Sequence, residues 1–210
     1  MHSKPTAKAK RGRGGNPQAT RARLIAVARR LYNTGGPAAV TVRAVCAAAR
    51  ITPPTLYWHF DTNARLVQAV VDDAFQGLLI ALAAGPSHGG AMSRLRSSAR
   101  IYRDYALAHP HTYHTMFLAI DPTRSRRRGS AKTVGQEAFD FLRSLVAECM
   151  RAGDMHAVDP HQPAVAIWSL VHGLITLRMT GRLAMADVDF ERSFDRSLDA
   201  LMRGLTAGTR

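Results

Sequence analysis

The 210-residue chain is 46% hydrophobic and 21% charged, which is typical of a folded protein with one large or two small domains rather than of a disordered chain. Its two cysteines, Cys46 and Cys149, lie among apolar residues, which predicts buried free thiols and argues against a disulfide framework. No uninterrupted apolar run reaches the roughly 18 residues that span a bilayer. The basic N-terminus lacks the apolar region of a secretory signal. We therefore expect a cytoplasmic protein with no membrane partner.

The positive charge is concentrated at the N-terminal end. The net charge is +14, from 29 Lys and Arg against 15 Asp and Glu. Residues 1–65 hold 12 of the basic residues but only one acidic residue, Asp61, whereas the remaining 145 residues are nearly neutral. A basic head on a nearly neutral body is the electrostatic pattern of a nucleic-acid-binding domain.

The N-terminal segment divides into an arm and a first helix. Residues 1–16 form a Lys/Arg/Gly/Pro arm that has no apolar face to pack, so we expect it to be flexible when no DNA is bound. A helix is predicted from Pro17 to Asn33, and residues 35–37, Gly-Gly-Pro, end it. Its apolar face has the i, i+3, i+4, i+7 spacing of an amphipathic helix: Leu24, Val27, Ala28 and Leu31.

Two short helices around a tight turn are predicted over residues 41–60, TVRAVCAAARITPPTLYWHF. Thr41 is placed to cap the first of them and Thr52 the second. Apolar residues flank each cap at the spacing of a hydrophobic staple: Val40 with Val45, and Ile51 with Leu56. Pro53 and Pro54 begin the second helix, where a missing N–H costs nothing and φ is already set.

The rest of the chain also has helical spacing, so the sequence predicts an all-α fold. A long helix is predicted from about Asn63 to Ala84, followed by segments near 91–108, 111–119, 131–152, 161–181 and 187–206. The segment AVAIWSLVHGLITLRM is apolar almost all round, and the last helix has a stripe of its own: Phe190, Phe194, Leu198, Leu201 and Leu205. Two such helices from each of two subunits would form the interface of a homodimer. A large monomeric core is the alternative.

Three motifs in the first third of the chain, TRARLIAVARRLYNTGG, VTVRAVCAAA and ITPPTLYWHF, precede the apolar start of the fourth helix. Together, residues 17–66 resemble the TetR family of bacterial transcriptional regulators. Further along, WSLVHG resembles a Trp-x-x-x-His-Gly element of one subgroup of that family. The resemblance implies a flexible arm over 1–16, a three-helix helix-turn-helix DNA-binding head over 17–62, and a helical regulatory and dimerisation domain over 63–210.

The resemblance also implies which residues contact double-stranded DNA. In a helix-turn-helix the second helix of the motif enters the major groove with its N-terminal side chains. Four residues open that helix within reach of bases and phosphates: Thr52, Pro53, Pro54 and Thr55. We expect sequence discrimination from Thr52, Pro54, Thr55 and Trp58, and positioning on phosphates from Thr41, Arg43, Tyr57 and His59.

Some of these contacts have alternatives. Tyr57 could instead pack within the head, and His59 could cap the end of its helix. Arg11 and Arg13 of the arm could enter the minor groove or only screen phosphates.

Two positions depart from the family pattern. Arg50 stands in the turn where the family often has Gly, so a bulky residue is expected to adopt a positive φ there. Asn63 stands where the family commonly has Lys. Asn63 could cap the fourth helix, and Arg65 could supply the phosphate contact instead.

The family resemblance implies a ligand cavity in the body, with ligand binding repositioning the heads through the fourth helix. Aromatic and polar residues on the helical faces are the candidates for its lining: Tyr102, Tyr105, Tyr113, Phe117, Phe139, Trp168 and His172. An apolar wall with a few polar groups suits a small hydrophobic effector, although core packing is the alternative for each residue.

We expect neither a cofactor nor a metal ion. Pro110 interrupts the histidines of HPHTYH at 109–114, and no cysteine or nearby carboxylate except Asp104 could complete a ligand set. The RSRRR run at 124–128 is interpreted as a solvated loop.

The leading functional prediction is a dimeric, ligand-responsive repressor of a palindromic operator. The alternative is a nucleoid-type protein that binds DNA through charge without sequence choice. An enzyme is disfavoured because the chain has no nucleophile motif, Gly-rich phosphate loop or paired carboxylates.

Overall fold

The computed structural model describes residues 16–118 and 133–206. The arm with Arg11 and Arg13, and the arginine run at 124–128, lie outside these residues. The described ranges contain ten α-helices and no strand, which confirms the all-α prediction. The helices are α1 (Pro17–Gly35), α2 (Val42–Ala49), α3 (Pro53–Phe60), α4 (Asn63–Ala83), α5 (Ala91–Ala108), α6 (Pro110–Leu118), α7 (Val134–Arg151), α8 (His161–Met179), α9 (Arg182–Met185) and α10 (Phe190–Leu205).

The described residues form two compact units, one up to Val67 and one from Gln68 onward. The division falls inside α4, a few residues after the boundary that the sequence predicts. The first unit contains α1, α2, α3 and the first turn of α4. The second contains the remainder of α4 and the helices α5 to α10.

Helix α1 supplies much of the core of the first unit. Leu24, Val27 and Ala28 are buried as predicted, but Tyr32 completes the buried face and Leu31 is only partly covered. The helix also runs to Gly35, beyond the predicted end. Gly36 then adopts φ 66° and donates its N–H to the carbonyl of Tyr32 at 2.8 Å. A positive φ at this position is one that glycine adopts without steric cost, so the helix ends there.

The turn between α2 and α3 agrees with two of the three local predictions. Thr41 caps α2, with its hydroxyl accepting the N–H of Ala44 at 3.2 Å. Arg50 adopts the left-handed conformation, with φ 52° and ψ 49°. The prediction that the Thr52 side chain caps α3 is wrong.

Thr52 stands at the N-cap position, but its hydroxyl lies 3.1 Å from that of Thr55 and accepts no N–H of the first turn. Pro54 removes one of the two N–H groups that an N-cap side chain usually binds, and the Thr52 hydroxyl pairs with the hydroxyl of Thr55 rather than with its N–H.

Asn63 does not cap α4, so the expectation that it could cap this helix is corrected. Its side-chain amide donates to the carbonyl of Val40 at 3.1 Å and so ties the start of α4 to the segment that precedes α2. Thr62 caps α4 instead, with its hydroxyl accepting the N–H of Arg65 at 3.2 Å. The Arg65 guanidinium lies 3.6 Å from the carboxylate of Asp61, and both side chains are exposed.

By length and composition alone, α4 is apolar enough to cross a membrane, with 21 residues and a mean hydropathy of 1.5. Asp72 and Asp73 interrupt its apolar sequence, so no uninterrupted run of that length occurs. Seven of its apolar residues are buried in the protein: Leu66, Ala69, Val70, Val71, Ala74, Leu78 and Leu82. Packing within the two units therefore accounts for the apolar composition of this helix.

The core of the second unit is formed by α5, α7, α8 and α10. The predicted stripe of α10 turns inward, with Phe190, Phe194 and Leu198 buried in that core and Met202 beside them. Cys149 is buried there too, and Cys46 is buried in the first unit, both as free thiols. Phe190, Phe194 and Leu198 therefore pack within the chain, whereas Leu201 and Leu205 are only partly buried. The homodimer interface stays a prediction.

A row of ion pairs fastens α10 to α5. Arg96 pairs with Asp199, Arg100 with Asp195 at 3.0 Å and Arg103 with Glu191 at 2.9 Å. The guanidinium of Arg103 also lies 4.9 Å from the centre of the Phe194 ring, where a cation–π contact adds to the attraction. The antiparallel order of the partners fixes the register of the two helices.

Replacing Arg50 with glycine is expected to stabilise the protein. A residue with a Cβ in the left-handed conformation costs roughly 1–2 kcal/mol, and glycine removes that cost. We therefore expect Arg50→Gly to raise the free energy of unfolding by about 1 kcal/mol, as measured by urea unfolding with circular dichroism. The control is Ala47→Gly at an exposed helical position of α2, which should lower the unfolding free energy by about 1 kcal/mol. A loss of stability in both variants would contradict the proposed strain at Arg50.

Candidate nucleic-acid interface and ligand cavity

Helix α3 is held by two side chains and presents most of the others to solvent. Leu56 and Phe60 are buried, at 0% and 2% exposed, whereas Tyr57 is 44% and Trp58 69% exposed. The guanidinium of Arg21, on α1, lies 5.0 Å from the centre of the Phe60 ring. A large exposed indole is unusual on a protein surface and points to a binding role.

The described DNA-contact candidates lie on α2 and α3 or at the residue before each helix, and most of them are exposed. Seven of them are exposed: Thr41, Arg43, Thr52, Pro53, Pro54, Tyr57 and Trp58. Thr55 and His59 are partly buried, and the His59 ring meets the edge of the Trp58 ring with centroids 4.6 Å apart. The exposure of Tyr57 disfavours the alternative in which that residue packs within the head.

The electrostatics of the first unit favour a polyanion. All seven of the arginines between residues 16 and 67 are exposed: Arg21, Arg23, Arg29, Arg30, Arg43, Arg50 and Arg65. Asp61 is the single acidic residue in that range. Exposed arginines around a protruding helix can contact phosphates while the helix reaches the groove.

The second unit contains a cavity of about 830 Å³ lined by residues of α4, α5, α6, α7 and α8. Its wall is mainly aromatic and aliphatic, with a few polar groups, and its size suits a small organic molecule. Four of the residues that the sequence singled out line it: Tyr102, Phe117, Phe139 and Trp168.

The other three candidates, Tyr105, Tyr113 and His172, are not among the residues that line the cavity. Tyr105 donates its hydroxyl to the carbonyl of Ala74 at 2.9 Å and approaches Gly77 so closely that an added Cβ would lie 2.6 Å from the Tyr105 oxygen. Tyr113 is buried, and its hydroxyl lies 2.6 Å from Nδ1 of His172. These residues support the cavity wall rather than line it.

Sequence reasoning missed the contribution of α4 to the cavity. Gln68, Asp72 and Phe75 lie on one face of that helix and line the cavity. The Phe75 ring packs against that of Phe117, with centroids 5.6 Å apart. The signal that could have identified them is the Gln68–Asp72 pair, four residues apart beside an apolar stripe that otherwise has the pattern of a core.

Burial determines the protonation states of three residues at or beside the cavity: His172, Tyr113 and Tyr102. Burial lowers the pKa of His172 and strongly raises the pKa of Tyr113, so both groups are neutral near pH 7. The Tyr113 hydroxyl and Nδ1 of His172 share one hydrogen bond, whose donor depends on which imidazole nitrogen carries the proton. Burial also raises the pKa of Tyr102 to about 12, and its buried hydroxyl has no partner in normal hydrogen-bond geometry among the described residues.

Among residues 16–118 and 133–206, no three His, Cys, Asp or Glu side chains are grouped as metal ligands. His109, His111 and His114 therefore form no such group with their described neighbours. Instead, the His109 ring packs against that of Tyr105, with centroids 4.7 Å apart.

Two family models match this chain. Residues 24–70 match the bacterial regulatory proteins of the tetR family, and residues 95–201 match the Tetracyclin repressor-like C-terminal domain. The first matched segment covers most of the first unit, including α3, and the second lies in the unit that contains the cavity.

Individual relatives are similar over different lengths. The transcriptional regulator UidR of Escherichia coli K12 is 35% identical over 54 residues, which cover 26% of this chain and 28% of UidR. A Rhodococcus sp. RHA1 protein of unknown function has a similar fold, with a TM-score of 0.75, 23% identity, and coverage of 94% of this chain and 100% of that one. RolR in complex with resorcinol has a TM-score of 0.64 and 21% identity, covering 91% and 90% of the two chains.

The lowered pKa of His172 predicts a pH-dependent stability. An unperturbed histidine has a pKa of about 6.5, and burial lowers that of His172 in the folded protein. Below about pH 6.5 the unfolded chain therefore binds more protons than the folded one, so stability falls as the pH is lowered through this window. We expect the unfolding free energy of His172→Gln to fall less than that of the wild type when the pH is lowered from about 7.5 to about 5.5. Urea titrations at each pH measure this free energy.

The control is His88→Gln, at an exposed position outside the helices. This variant should keep the pH dependence of the wild type. An unchanged pH dependence in His172→Gln would show that the imidazole is protonated as easily in the folded as in the unfolded chain.

Proposed function

Because this chain belongs to the TetR family of bacterial transcriptional regulators, we propose that it is a dimeric repressor of a palindromic operator, released by a small and largely apolar effector. The observation that supports DNA binding best is α3, which exposes Tyr57 and Trp58 on a unit whose described arginines are all exposed. The family consists of regulators rather than enzymes. A regulator of this kind acts on cytoplasmic DNA.

In this proposal α3 enters the major groove, while α2 lies across the DNA backbone and supports α3. Thr52, Pro54, Thr55 and Trp58 read base edges and shape. Thr41, Arg43, Tyr57 and His59 bind phosphates, with Pro53 keeping the entry to the helix rigid. The hydrogen bond from the Asn63 side chain to the carbonyl of Val40 helps to fix the orientation of the helix-turn-helix.

The proposed effector site is the cavity of the second unit. The aromatic wall of Phe75, Phe117, Phe139 and Trp168 suits a molecule with apolar surface. RolR, whose fold is similar, is known in complex with resorcinol, a small aromatic compound. Val71, Phe75 and Leu78 of α4 line the cavity, and the same helix begins in the DNA-binding unit. A ligand that moved these residues would act on the helix that carries the head.

The proposed dimer uses the outer face of α8. Leu177 is 38% exposed on this helix, and a Cβ added to Gly173 would meet no atom within 4 Å, so a second helix could approach closely. The outward side of α10 carries charged residues instead: Glu191, Arg192, Arg196 and Arg203. An α8 face with little charge is therefore the better candidate for self-association.

Selection of random duplexes on the purified full-length protein tests the proposal. A dimeric repressor should recover a palindrome with two half-sites about one or more helical turns apart. Its affinity for this duplex should exceed that for scrambled DNA by about 1,000-fold or more at matched salt. Equal affinity for selected and scrambled duplexes would instead identify a nucleoid-type binder that recognises charge alone.

We predict that Trp58→Ala relaxes sequence choice. The indole is the most exposed aromatic group on α3 and lies where that helix would face the bases. Each mismatched base pair typically costs ~1–3 kcal/mol, so loss of a base contact should reduce the discrimination at one operator position by about tenfold. The measurement is the affinity ranking of single-base operator variants, and an unchanged ranking would contradict a reading role for Trp58.

The matched comparison is Tyr57→Phe, which removes one hydroxyl from the same helix. If that hydroxyl binds phosphate, affinity should fall by a similar factor on every duplex, because phosphates carry no sequence information. Lower thermal stability with unchanged affinity would indicate a packing role instead.

A further inference from the structure

The cavity of the second unit contains a carboxylate without a counter-charge among the described residues. From this we infer that the effector is a lipophilic cation, such as an aromatic ammonium compound. The inference rests on the proposed function, because it names the chemical class of the effector for that same cavity.

The carboxylate belongs to Asp72, which lines the cavity from α4. Its Oδ1 accepts a hydrogen bond from the side-chain amide of Gln68 at 2.9 Å, and both side chains are partly buried. Among residues 16–118 and 133–206, Asp72 forms no ion pair. A neutral amide orients the carboxylate but leaves its charge uncompensated, and a partly buried charge gains from a cationic partner.

The other charged residues of the lining do not offset this charge. Arg143 is occupied by Asp140, with the guanidinium 2.9 Å from that carboxylate. His161 packs edge-on against the Phe139 ring, with centroids 5.3 Å apart. With Arg143 and Asp140 neutralising each other, Asp72 gives the described part of the lining a net negative charge.

The start of α7 also reaches the cavity, and a bare helix N-terminus would favour an anion. Here a capping box uses part of these groups internally. The N–H of Gln136 donates to the Thr133 hydroxyl at 3.3 Å, and the N–H of Thr133 donates to the Gln136 side chain at 2.8 Å. The capping box therefore reduces what this helix start offers to an anionic ligand.

The aromatic wall is suited to a cation. Four rings follow one another along the cavity, with centroids 5.6 Å apart from Phe75 to Phe117, 6.3 Å from Phe117 to Trp168 and 5.8 Å from Trp168 to Phe139. Ring faces attract an ammonium group through their quadrupole, and tryptophan does so most strongly. Apolar surface, ring faces and one carboxylate together select a molecule that is both lipophilic and positively charged.

Three naphthalene derivatives that differ in charge test this inference: 2-naphthylmethyl-trimethylammonium, 2-naphthylmethanol and 2-naphthylacetate. Their affinities for the full-length protein without DNA are measured by isothermal titration calorimetry. We expect the cation to bind at least about tenfold more tightly than the alcohol, and the carboxylate to bind most weakly. In Asp72→Asn, which keeps the acceptor for Gln68, the preference for the cation should fall to about twofold or less while the affinity for the alcohol is retained.

The control variant is Asp73→Asn, which removes a charge from the adjacent position of α4 that does not line the cavity. It should keep the wild-type preference. The inference is overturned if the three compounds bind equally, if the anion binds best, if none binds, or if the preference survives in Asp72→Asn. Equal binding of the three compounds would leave sequence-specific DNA binding standing, since the operator selection tests that part of the proposed function separately.

Discussion

Burial of Leu56 and Phe60 is the constraint on which the DNA-binding surface depends. An eight-residue helix is too short to be stable alone in water, so α3 exists because these two side chains hold it in the core of the first unit. Once both are buried, the pitch of the helix leaves Tyr57 and Trp58 facing outward. The left-handed Arg50 before α3 and the bond from Asn63 to Val40 then fix the direction in which the helix protrudes.

The second unit contains both a packed core and a cavity. The ion pairs of Arg96, Arg100 and Arg103 with α10 and the inward stripe of that helix make one side a packed core. On the other side, aromatic rings from α4, α6, α7 and α8 surround the cavity instead of closing over it. Helix α4 lines this cavity and also begins in the first unit, which is why the proposed function has the effector act through this helix.

How far the sequence could be interpreted depended on the distance between interacting residues. The Thr41 cap and the positive φ of Arg50 involve groups within a few residues of each other, and both were predicted. Thr52 has the residue type and position of a cap, but Pro54 removes one N–H that it could bind, and its hydroxyl pairs with that of Thr55 instead. Asn63 bonds to Val40, 23 residues earlier, and no local pattern encodes that bond. Gln68 and Asp72 were overlooked because a partly polar stripe on a long helix is also typical of ordinary packing.

The sequence by itself determined the helices, the basic head and the two short helices around the turn at residues 41–60, since helical spacing, caps and charge are local properties of the chain. Its resemblance to a known family located the head within the first third. Only the tertiary structure decided which aromatic residues face the cavity and which support its wall, and that the apolar stripe of α10 is spent on its own core. Those outcomes depend on how separate helices pack against one another, which the spacing within any one helix does not specify.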